Sequence, residues 1–222
     1  MRVSGFLLKP NKPKTEMKRL LLLIIALCVF WHSYAGKQVT NRVVVAYVTA
    51  GTTEIPDPTL MTHINYAFGT VNKTFNGVDI QKPERLRVIA GLKQQNPDLK
   101  VLLSIGGWTA GRFSEMAATK QNRAAFAKDC KRIVDEFGLD GIDIDWEYPC
   151  DNSAGIDSDP SDKENYTLLL QALRDVLGEK RILSIAAGAG NYFIEGTEMD
   201  KVSAICDYVQ LMTYDITFTK SR

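Results

Sequence analysis

The chain has 222 residues, of which 45% are hydrophobic and 24% are charged, with 27 Lys and Arg against 26 Asp and Glu. This composition is that of an ordinary globular protein and excludes a disordered chain, a collagen and a multi-span membrane protein. Six of the basic residues and one of the acids lie in residues 1–35, which leaves 21 basic and 25 acidic residues in 36–222. Because a nucleic-acid binder needs a basic surface to release counterions, we expect no nucleic-acid partner.

The N-terminal segment has the pattern of a secretion signal. A Lys-Arg pair precedes an apolar run, residues 20–30, and small residues follow around Ala35. The run is shorter than the roughly 20 residues that span a bilayer, which favours a cleaved signal over an anchoring helix. We expect residues 1–35 to be an extension and signal peptide, with Met17 as an alternative start. The protein would be secreted, extracellular or periplasmic, after cleavage near Ala35 and would have no membrane contact afterwards.

Three cysteines remain after the predicted cleavage site: Cys130, Cys150 and Cys206. An odd number allows at most one internal disulfide in an exported protein. Their spacing does not fit a zinc site, and His63 is the one histidine of residues 36–222. We expect structural cysteines, with the pairing open, and neither a metal nor another cofactor.

Residues 36–222 alternate short apolar runs with helical patterns. The runs are residues 43–51, 61–69, 100–108, 139–149, 181–189 and 207–215. Their near-continuous apolarity is typical of parallel strands covered on both faces. The segments between them carry apolar residues at helical spacing, in 83–95, in 122–137 and from Ser161 onward. The last of these opens with Ser161-x-x-Glu164, the pattern of a capping box. Repeated βα units therefore predict an α/β fold in one domain.

Two α/β architectures fit this alternation. An open doubly wound sheet usually has a glycine-rich phosphate turn after its first strand, and residues 50–53 contain none. A barrel places its chemistry at the carboxyl ends of its strands. Polar or aromatic residues at the predicted ends are Tyr47, Ser104, Trp108, Glu147 and Tyr214. We therefore expect a (β/α)8 TIM-barrel type with about six of its eight units in this chain.

The segment 139–149 carries three acids at alternating positions, Asp143, Asp145 and Glu147. Alternate residues of a strand face one side, so the carboxylates would line one face about 7 Å apart. Burying them is unfavourable unless they share protons, find donors or bind a cation. Like charges this close would keep one carboxyl protonated near neutral pH, as a general acid requires. A solvated acidic face and a metal site are the alternatives, and the glycine spacing of an EF-hand is missing.

Two motifs together resemble family 18 glycoside hydrolases, the chitinases and their relatives. They are the DxxDxDxE pattern of Asp140, Asp143, Asp145 and Glu147 and the SxGG pattern of Ser104, Gly106 and Gly107. Residues 210–215 are similar to a third landmark of the family, and 146–149 resembles its chitinase branch. The resemblance covers about 42–215. It implies chitin or chitooligosaccharides as substrate, cleaved at β-1,4-linked N-acetylglucosamine with retention by the substrate-assisted route.

The resemblance also implies the role of each acid. Glu147 would protonate the leaving oxygen and later activate water. Asp145 would orient the substrate's 2-acetamido group and stabilise the oxazolinium charge. Asp143 would share a proton with Asp145, so that their pKa values belong to the pair.

The remaining residues have implied roles beside structural alternatives. Tyr214 would donate to the acetamido oxygen, and Met212 and Asp215 would line the subsite before the cleaved bond. Tyr47 and Ser104 would support the Asp143 and Asp145 pair, although a barrel-filling tyrosine and a small packing serine fit as well. Phe68 and Trp108 would contact substrate or belong to the core. Asp140 would fix the turn into the strand, and Gly106 and Gly107 would adopt unusual backbone angles.

Eight strands close such a barrel in roughly 250 residues, so six predicted strands lead us to expect a C-terminally truncated barrel in residues 36–222. Its activity would then depend on whether six strands align the acids. A noncatalytic, lectin-like relative is one alternative, and the retained Glu147 argues against it. A family 18 hydrolase acting on other N-acetylglucosamine glycans is another. No protein partner is implied.

Overall fold

A computed structural model describes residues 42–214, and the predicted signal in 1–35 and Asp215 lie outside them. The strands are β1 (Val45–Thr49), β2 (His63–Val71), β3 (Val78–Ile80), β4 (Lys100–Gly106), β5 (Gly141–Asp145), β6 (Ile182–Gly188) and β7 (Tyr208–Met212). The helices are α1 (Pro83–Gly91), α2 (Phe113–Ala117), α3 (Lys120–Phe137), α4 (Asp162–Leu177), α5 (Asn191–Glu195) and α6 (Met199–Ile205). A 3-10 turn, Leu92–Gln94, extends α1.

Six strands form a parallel sheet in the order β1-β2-β4-β5-β6-β7, and β3 pairs antiparallel with β2. These six are the strands expected from the apolar runs, and that prediction is confirmed. Apart from β3, neighbours in the sheet follow chain order, as in a barrel, whereas a doubly wound sheet reverses its order partway. The short β3, α2, α5 and α6 were not predicted, because each has too few residues to show a period.

Contacts inside the sheet show that it curves. The rings of His63 on β2 and Tyr208 on β7 meet edge to face with centroids 5.8 Å apart. Four strand spacings separate β2 from β7, which would be roughly 19 Å in a flat sheet. The sheet therefore wraps around these side chains, and the TIM-barrel type of α/β fold is confirmed.

The outer face of β5 packs under the helices, as its alternation predicted. Ile142, Ile144 and Trp146 are fully buried. Trp146 stacks on Phe113 of α2 at 5.3 Å and meets the edge of Tyr166 of α4 at 5.6 Å. Because these alternate residues fill the layer between sheet and helices, the acids between them must point to the inside of the barrel.

The two long helices begin differently. Thr119 precedes α3, and its side chain accepts a hydrogen bond from Asn122 N at 3.1 Å. Ser161 precedes α4 but makes no such cap: its backbone is already helical, and its hydroxyl donates to Asp159 at 2.7 Å and accepts from the Asn165 side-chain amide at 3.1 Å. The sequence Ser161-x-x-Glu164 suggested a capping box there, and that expectation was wrong.

Two further observations concern the described residues. Cys130, Cys150 and Cys206 are free thiols, and Cys130 is buried among the core residues of α3. No helix between residues 42 and 214 is long and apolar enough to cross a membrane.

Candidate active site

Three acids line the inside of the barrel: Asp143 and Asp145 on β5, and Glu147 two residues after the strand. Asp143 is fully buried, Asp145 is 4% exposed and Glu147 is 8% exposed. Going from the middle of β5 towards the mouth of the barrel, each acid is slightly more exposed than the one before. Alternation along the strand, predicted from sequence, produces this inward row.

Asp143 accepts four hydrogen bonds from four different strands. Its Oδ2 accepts from the Tyr47 hydroxyl of β1 and the Ser104 hydroxyl of β4, each at 2.8 Å. Its Oδ1 accepts from the Ser184 hydroxyl of β6 at 2.6 Å and the Gln210 amide of β7 at 3.0 Å. All four donors are neutral, so the carboxylate is stabilised without a counter-ion. We call Asp143 and these four donors the Asp143 cluster.

The register of the sheet explains part of this cluster. Ser104, Asp143 and Ser184 are direct neighbours on β4, β5 and β6, so all three face the interior at one level. Tyr47 and Ser104 were predicted as supports of the acids. Ser184 and Gln210 were missed, although each is a polar residue within an apolar strand, a pattern that signals an inward-facing role.

Asp145 has a very different environment from Asp143. Its Oδ1 is buried and has no hydrogen-bond partner. Burial, followed by the charges of Glu147 and Asp143, raises the pKa of Asp145 to about 8. Burial also raises the pKa of Asp143, but its four donors oppose that shift. The pKa values of both acids are thus raised, and the sharing of a proton within the pair stays a prediction.

Tyr47 is held as a hydrogen-bond donor. Burial and the charge of Asp143 raise its pKa far above the usual range of a tyrosine. The Asn65 amide, opposite Tyr47 on β2, lies beside the same hydroxyl and opposes the shift. Tyr47 is thus a support of Asp143 rather than a barrel-filling residue.

Two glycines at the end of β4 let its backbone approach β5 closely. Gly106 and Gly107 have φ values of +127° and +97°, which confirms the predicted unusual angles. A Cβ on Gly106 would lie 1.9 Å from the carbonyl oxygen of Asp145. The Gly107 N–H donates to that same oxygen at 2.8 Å. A Cβ on Gly107 would lie 3.0 Å from the ring of Phe68, which places Phe68 beside this turn.

The other predicted residues occupy both ends of the barrel. Trp108 is 56% exposed, so it is not a core residue. Met212 is half-buried at the end of β7, opposite Gly188 of β6. Tyr214 follows β7 and is 78% exposed. Asp140 precedes β5, where its Oδ2 accepts from Val101 N at 2.8 Å and Lys93 Nζ at 3.0 Å. Asp140 therefore fixes the entry into the strand.

No three His, Cys, Asp or Glu side chains within residues 42–214 come together as ligands for a metal ion. A parallel barrel with inward carboxylates near the carboxyl end of a strand is the architecture of the barrel glycoside hydrolases. The sequence profile described as Glycosyl hydrolases family 18 matches residues 27–221, and the chain belongs to this family.

Known relatives agree with this assignment. The chain is similar to Chitinase A1 of Niallia circulans, 38% identical over 217 residues, covering 72% of this chain and 31% of that protein. It is also similar to Chitotriosidase-1 of Mus musculus, 36% identical over 171 residues, covering 72% of this chain and 36% of that protein.

Two solved structures share the fold. The chitinase domain of the spore coat protein CotE from Clostridium difficile has a TM-score of 0.75 at 41% identity and covers 82% of this chain. A family 18 N-acetylglucosaminidase from Paenibacillus barengoltzii has a TM-score of 0.74 at 46% identity and covers 79% of this chain. The chain spans 53% and 54% of those two structures. It therefore spans about half of these structures and about a third of the two curated relatives.

Proposed function

We propose that the site hydrolyses β-1,4-linked N-acetylglucosamine in chitin or chitooligosaccharides. The observation that carries this proposal is the inward row of Asp143, Asp145 and Glu147, in which Asp145 is buried, with an unpartnered Oδ1, beside Glu147. Pairs of carboxyl groups in contrasting environments are typical of acid-base catalysis on glycosides. The names of the relatives support the same substrate class.

Glu147 is the acid and base of the proposed reaction. It gives its proton to the glycosidic oxygen as the bond from the anomeric carbon to that oxygen breaks. The acetamido oxygen of the same sugar bonds to the anomeric carbon, which leaves an oxazolinium cation and a Glu147 carboxylate. Water then attacks the anomeric carbon and passes a proton to Glu147, while the bond to the acetamido oxygen breaks. Two inversions at one carbon give retention of configuration.

Asp145 acts on the acetamido group. Its unpartnered Oδ1 is available to accept the acetamido N–H and turn the acetamido oxygen towards the anomeric carbon. Positive charge develops on that group during the first step, so a nearby carboxyl group becomes more acidic and stabilises it. The Asp143 cluster lies one step deeper in the barrel, where its four donors favour a carboxylate whose negative charge would add to this stabilisation.

Aromatic and sulfur side chains at the mouth would bind the sugar chain. Trp108 offers an exposed indole, and Met212 lies half-buried at the end of β7. Tyr214 would donate its hydroxyl proton to the acetamido oxygen, with Met212 and Asp215 beside the subsite before the cleaved bond. Phe68 would complete the floor next to Gly107.

A second candidate is the release of single N-acetylglucosamine residues from other glycans. The similarity to the Paenibacillus barengoltzii N-acetylglucosaminidase, at 46% identity, favours it. Product analysis separates the two, because a chitinase acting within chains yields short oligosaccharides, whereas an N-acetylglucosaminidase yields monosaccharide.

The test compares turnover of a fluorogenic chitooligosaccharide by the chain and by its Glu147→Gln variant. We expect Glu147→Gln to reduce turnover by roughly 10² to 10⁴-fold, since it removes the proton donor. Glu84→Gln makes the same change at an exposed position of α1 and should leave turnover unchanged. Turnover that survives Glu147→Gln would contradict the assigned role. No turnover from any variant would show that this chain does not hold the acids in catalytic geometry.

A further inference from the structure

Asn65 of β2 carries a fully buried amide whose polar atoms are unsatisfied. The residue is 0% exposed. Neither its Oδ1 nor its Nδ2 makes a hydrogen bond of normal geometry with any residue between 42 and 214. Because an unpaired buried amide lowers stability, its presence calls for an explanation other than packing.

The register of the sheet places Asn65 inside the barrel and deeper than the acids. Asn65 is the direct neighbour of Tyr47 on β1 and of Leu102 on β4. Leu102 is in turn the neighbour of Gly141, two residues before Asp143. Tyr47 points to the interior, where it bonds Asp143, so its neighbour Asn65 faces the interior too. Asn65 therefore lies further from the mouth of the barrel than any of the three acids.

The Asn65 amide lies beside the hydroxyl of Tyr47. Burial and the charge of Asp143 raise the pKa of Tyr47, whereas the Asn65 side chain opposes that shift. An amide N–H directed at the phenol oxygen has this effect, because it stabilises negative charge there. The one proton of the hydroxyl goes to Asp143 Oδ2 at 2.8 Å. The hydroxyl oxygen thus has lone pairs left to accept from Asn65 Nδ2.

Two neutral groups therefore connect β2 through β1 to the Asp143 cluster. A donor that itself accepts a hydrogen bond is polarised and donates more strongly. Donation from Asn65 strengthens the bond from Tyr47 to Asp143 in this way, which favours the ionised form of Asp143. Catalytic hydrogen bonds are often long in a free enzyme and tighten as charge develops. The loose contact between Asn65 and Tyr47 has the character of such a bond.

We propose that Asn65 is a positioning residue of the reaction, which acts through Tyr47 on Asp143 and does not touch the substrate. The inference rests on the proposed function, because the effect belongs to the step in which positive charge develops on the acetamido group. In that step Asn65 holds Tyr47 as a donor to Asp143, and the Asp143 charge stabilises the developing cation. The amide is retained for the reaction although it lowers stability.

The experiment measures kcat and KM for a fluorogenic chitooligosaccharide, and the urea midpoint of unfolding, in variants of the full chain. Asn65→Leu keeps the number and branching of side-chain heavy atoms and removes the amide. We expect kcat per folded molecule to fall about tenfold with KM unchanged, since Asn65 acts only on the charged step. The midpoint should not fall, because an unpaired buried amide is lost. Asn65→Ala cannot overpack the interior and should lower kcat to the same extent.

A double-mutant cycle tests the path through Tyr47. Tyr47→Phe removes the hydroxyl on which Asn65 acts, so adding Asn65→Leu to it should give no further fall in kcat. Leu102→Val is the control, because it changes packing at the same level of the interior without altering a polar group. It should lower the midpoint and leave kcat unchanged.

The possible results separate the inference from the proposed function. Unchanged kcat in both Asn65 variants would overturn the inference and leave the proposed function standing. A fall in kcat that persists in full on top of Tyr47→Phe would overturn it too, as would a midpoint that falls in step with kcat in both variants. If Asn65→Leu does not fold, the kcat of Asn65→Ala decides alone. A parent chain without turnover would overturn the proposed function and the inference with it.

Discussion

The carboxyl groups at the two ends of β5 lie in opposite environments. Before the strand, Asp140 accepts from the Val101 amide and from the Lys93 ammonium. At the last residue of the strand, Asp145 is buried with an unpartnered Oδ1, and its pKa is raised to about 8. The first arrangement stabilises the barrel, whereas the second lowers its stability. Unfavourable environments of this kind are retained where chemistry needs them.

Asp143 lies between these two acids in position and in environment. It is buried like Asp145, yet both of its oxygens are hydrogen-bonded. Three acids on one short segment therefore have three different environments. Asp140 forms an ion pair, Asp143 accepts from neutral donors, and Asp145 has an unpartnered oxygen. The contrast identifies Asp145 as the acid whose protonation is most open to change by a ligand.

The largest expected effect on the free energy of unfolding comes from displacing the backbone at the carboxyl end of β5. Gly106→Ala would place a Cβ 1.9 Å from the Asp145 carbonyl oxygen at a φ of +127°. Because backbone rather than a flexible side chain must move, we expect a loss of about 4 kcal/mol or more in the free energy of unfolding. Gly51→Ala is the matched control, since no heavy atom lies within 4 Å of its Cβ. Equal denaturation midpoints for the two variants would contradict the close approach.

Asp145→Asn tests directly whether burial of the Asp145 carboxyl group makes stability depend on pH. With its pKa raised to about 8, folded Asp145 keeps its proton up to about that pH, whereas the unfolded chain releases it near the usual pKa of 3.8. The native state therefore binds more protons between these values, and its stability falls as pH rises, by at most about 1.4 kcal/mol per unit. Water at the barrel mouth moderates the penalty, so Asp145→Asn should remove a loss of roughly 3 kcal/mol between pH 4 and 8.

Urea unfolding at several pH values measures this slope. Asp57→Asn is the control, because hydrogen bonds from Thr59 lower the pKa of Asp57. The stabilising effect of ionised Asp57 is complete above pH 5. Asp57→Asn should therefore lower the free energy of unfolding by the same amount at every pH from 5 to 8, without changing its slope against pH. Parallel curves for the chain and Asp145→Asn would show that Asp145 is ionised in the folded state throughout this range.

The smallest expected effect lies at the other end of β5. Asp140→Ala removes the acceptor of the Val101 amide and the partner of Lys93. We expect it to lower the free energy of unfolding by about 1 to 3 kcal/mol. Turnover per folded molecule should stay the same, because Asp140 lies before the amino end of β5, whereas Asp145 and Glu147 lie at its carboxyl end. A fall in turnover without a fall in the free energy of unfolding would contradict the structural role of Asp140.

The sequence predicts the parts of this molecule that depend on local pattern. Apolar runs predict the six parallel strands, and alternation predicts that Asp143 and Asp145 face away from Trp146. The paired glycines predict the unusual backbone at Gly106 and Gly107. Each of these features is decided by residues a few positions apart, and the structure confirms them.

Features that depend on curvature could not be predicted in the same way. Gln210 reaches Asp143 because β7 curves round towards β5, and no local pattern encodes that approach. Tyr192 covers the end of β6 because of Gly188 and Gly190, which in the sequence resemble an ordinary loop. The missing cap at Ser161 has a local origin instead, since the Ser161 backbone is already helical and its hydroxyl bonds the side chains of Asp159 and Asn165.

The Asp143 cluster also has a consequence for how the chain folds. Its donors lie far from Asp143 in sequence: Ser104 by 39 residues, Ser184 by 41, Gln210 by 67 and Tyr47 by 96. Contacts between distant residues form only after the loops between them have closed, so they come late and slowly. Until β7 docks, the buried carboxylate lacks a donor that it has in the finished barrel. Completion of the Asp143 cluster thus coincides with the last steps of folding, and a partly folded chain carries a buried carboxyl group that lacks one of its donors, which disfavours its collapse.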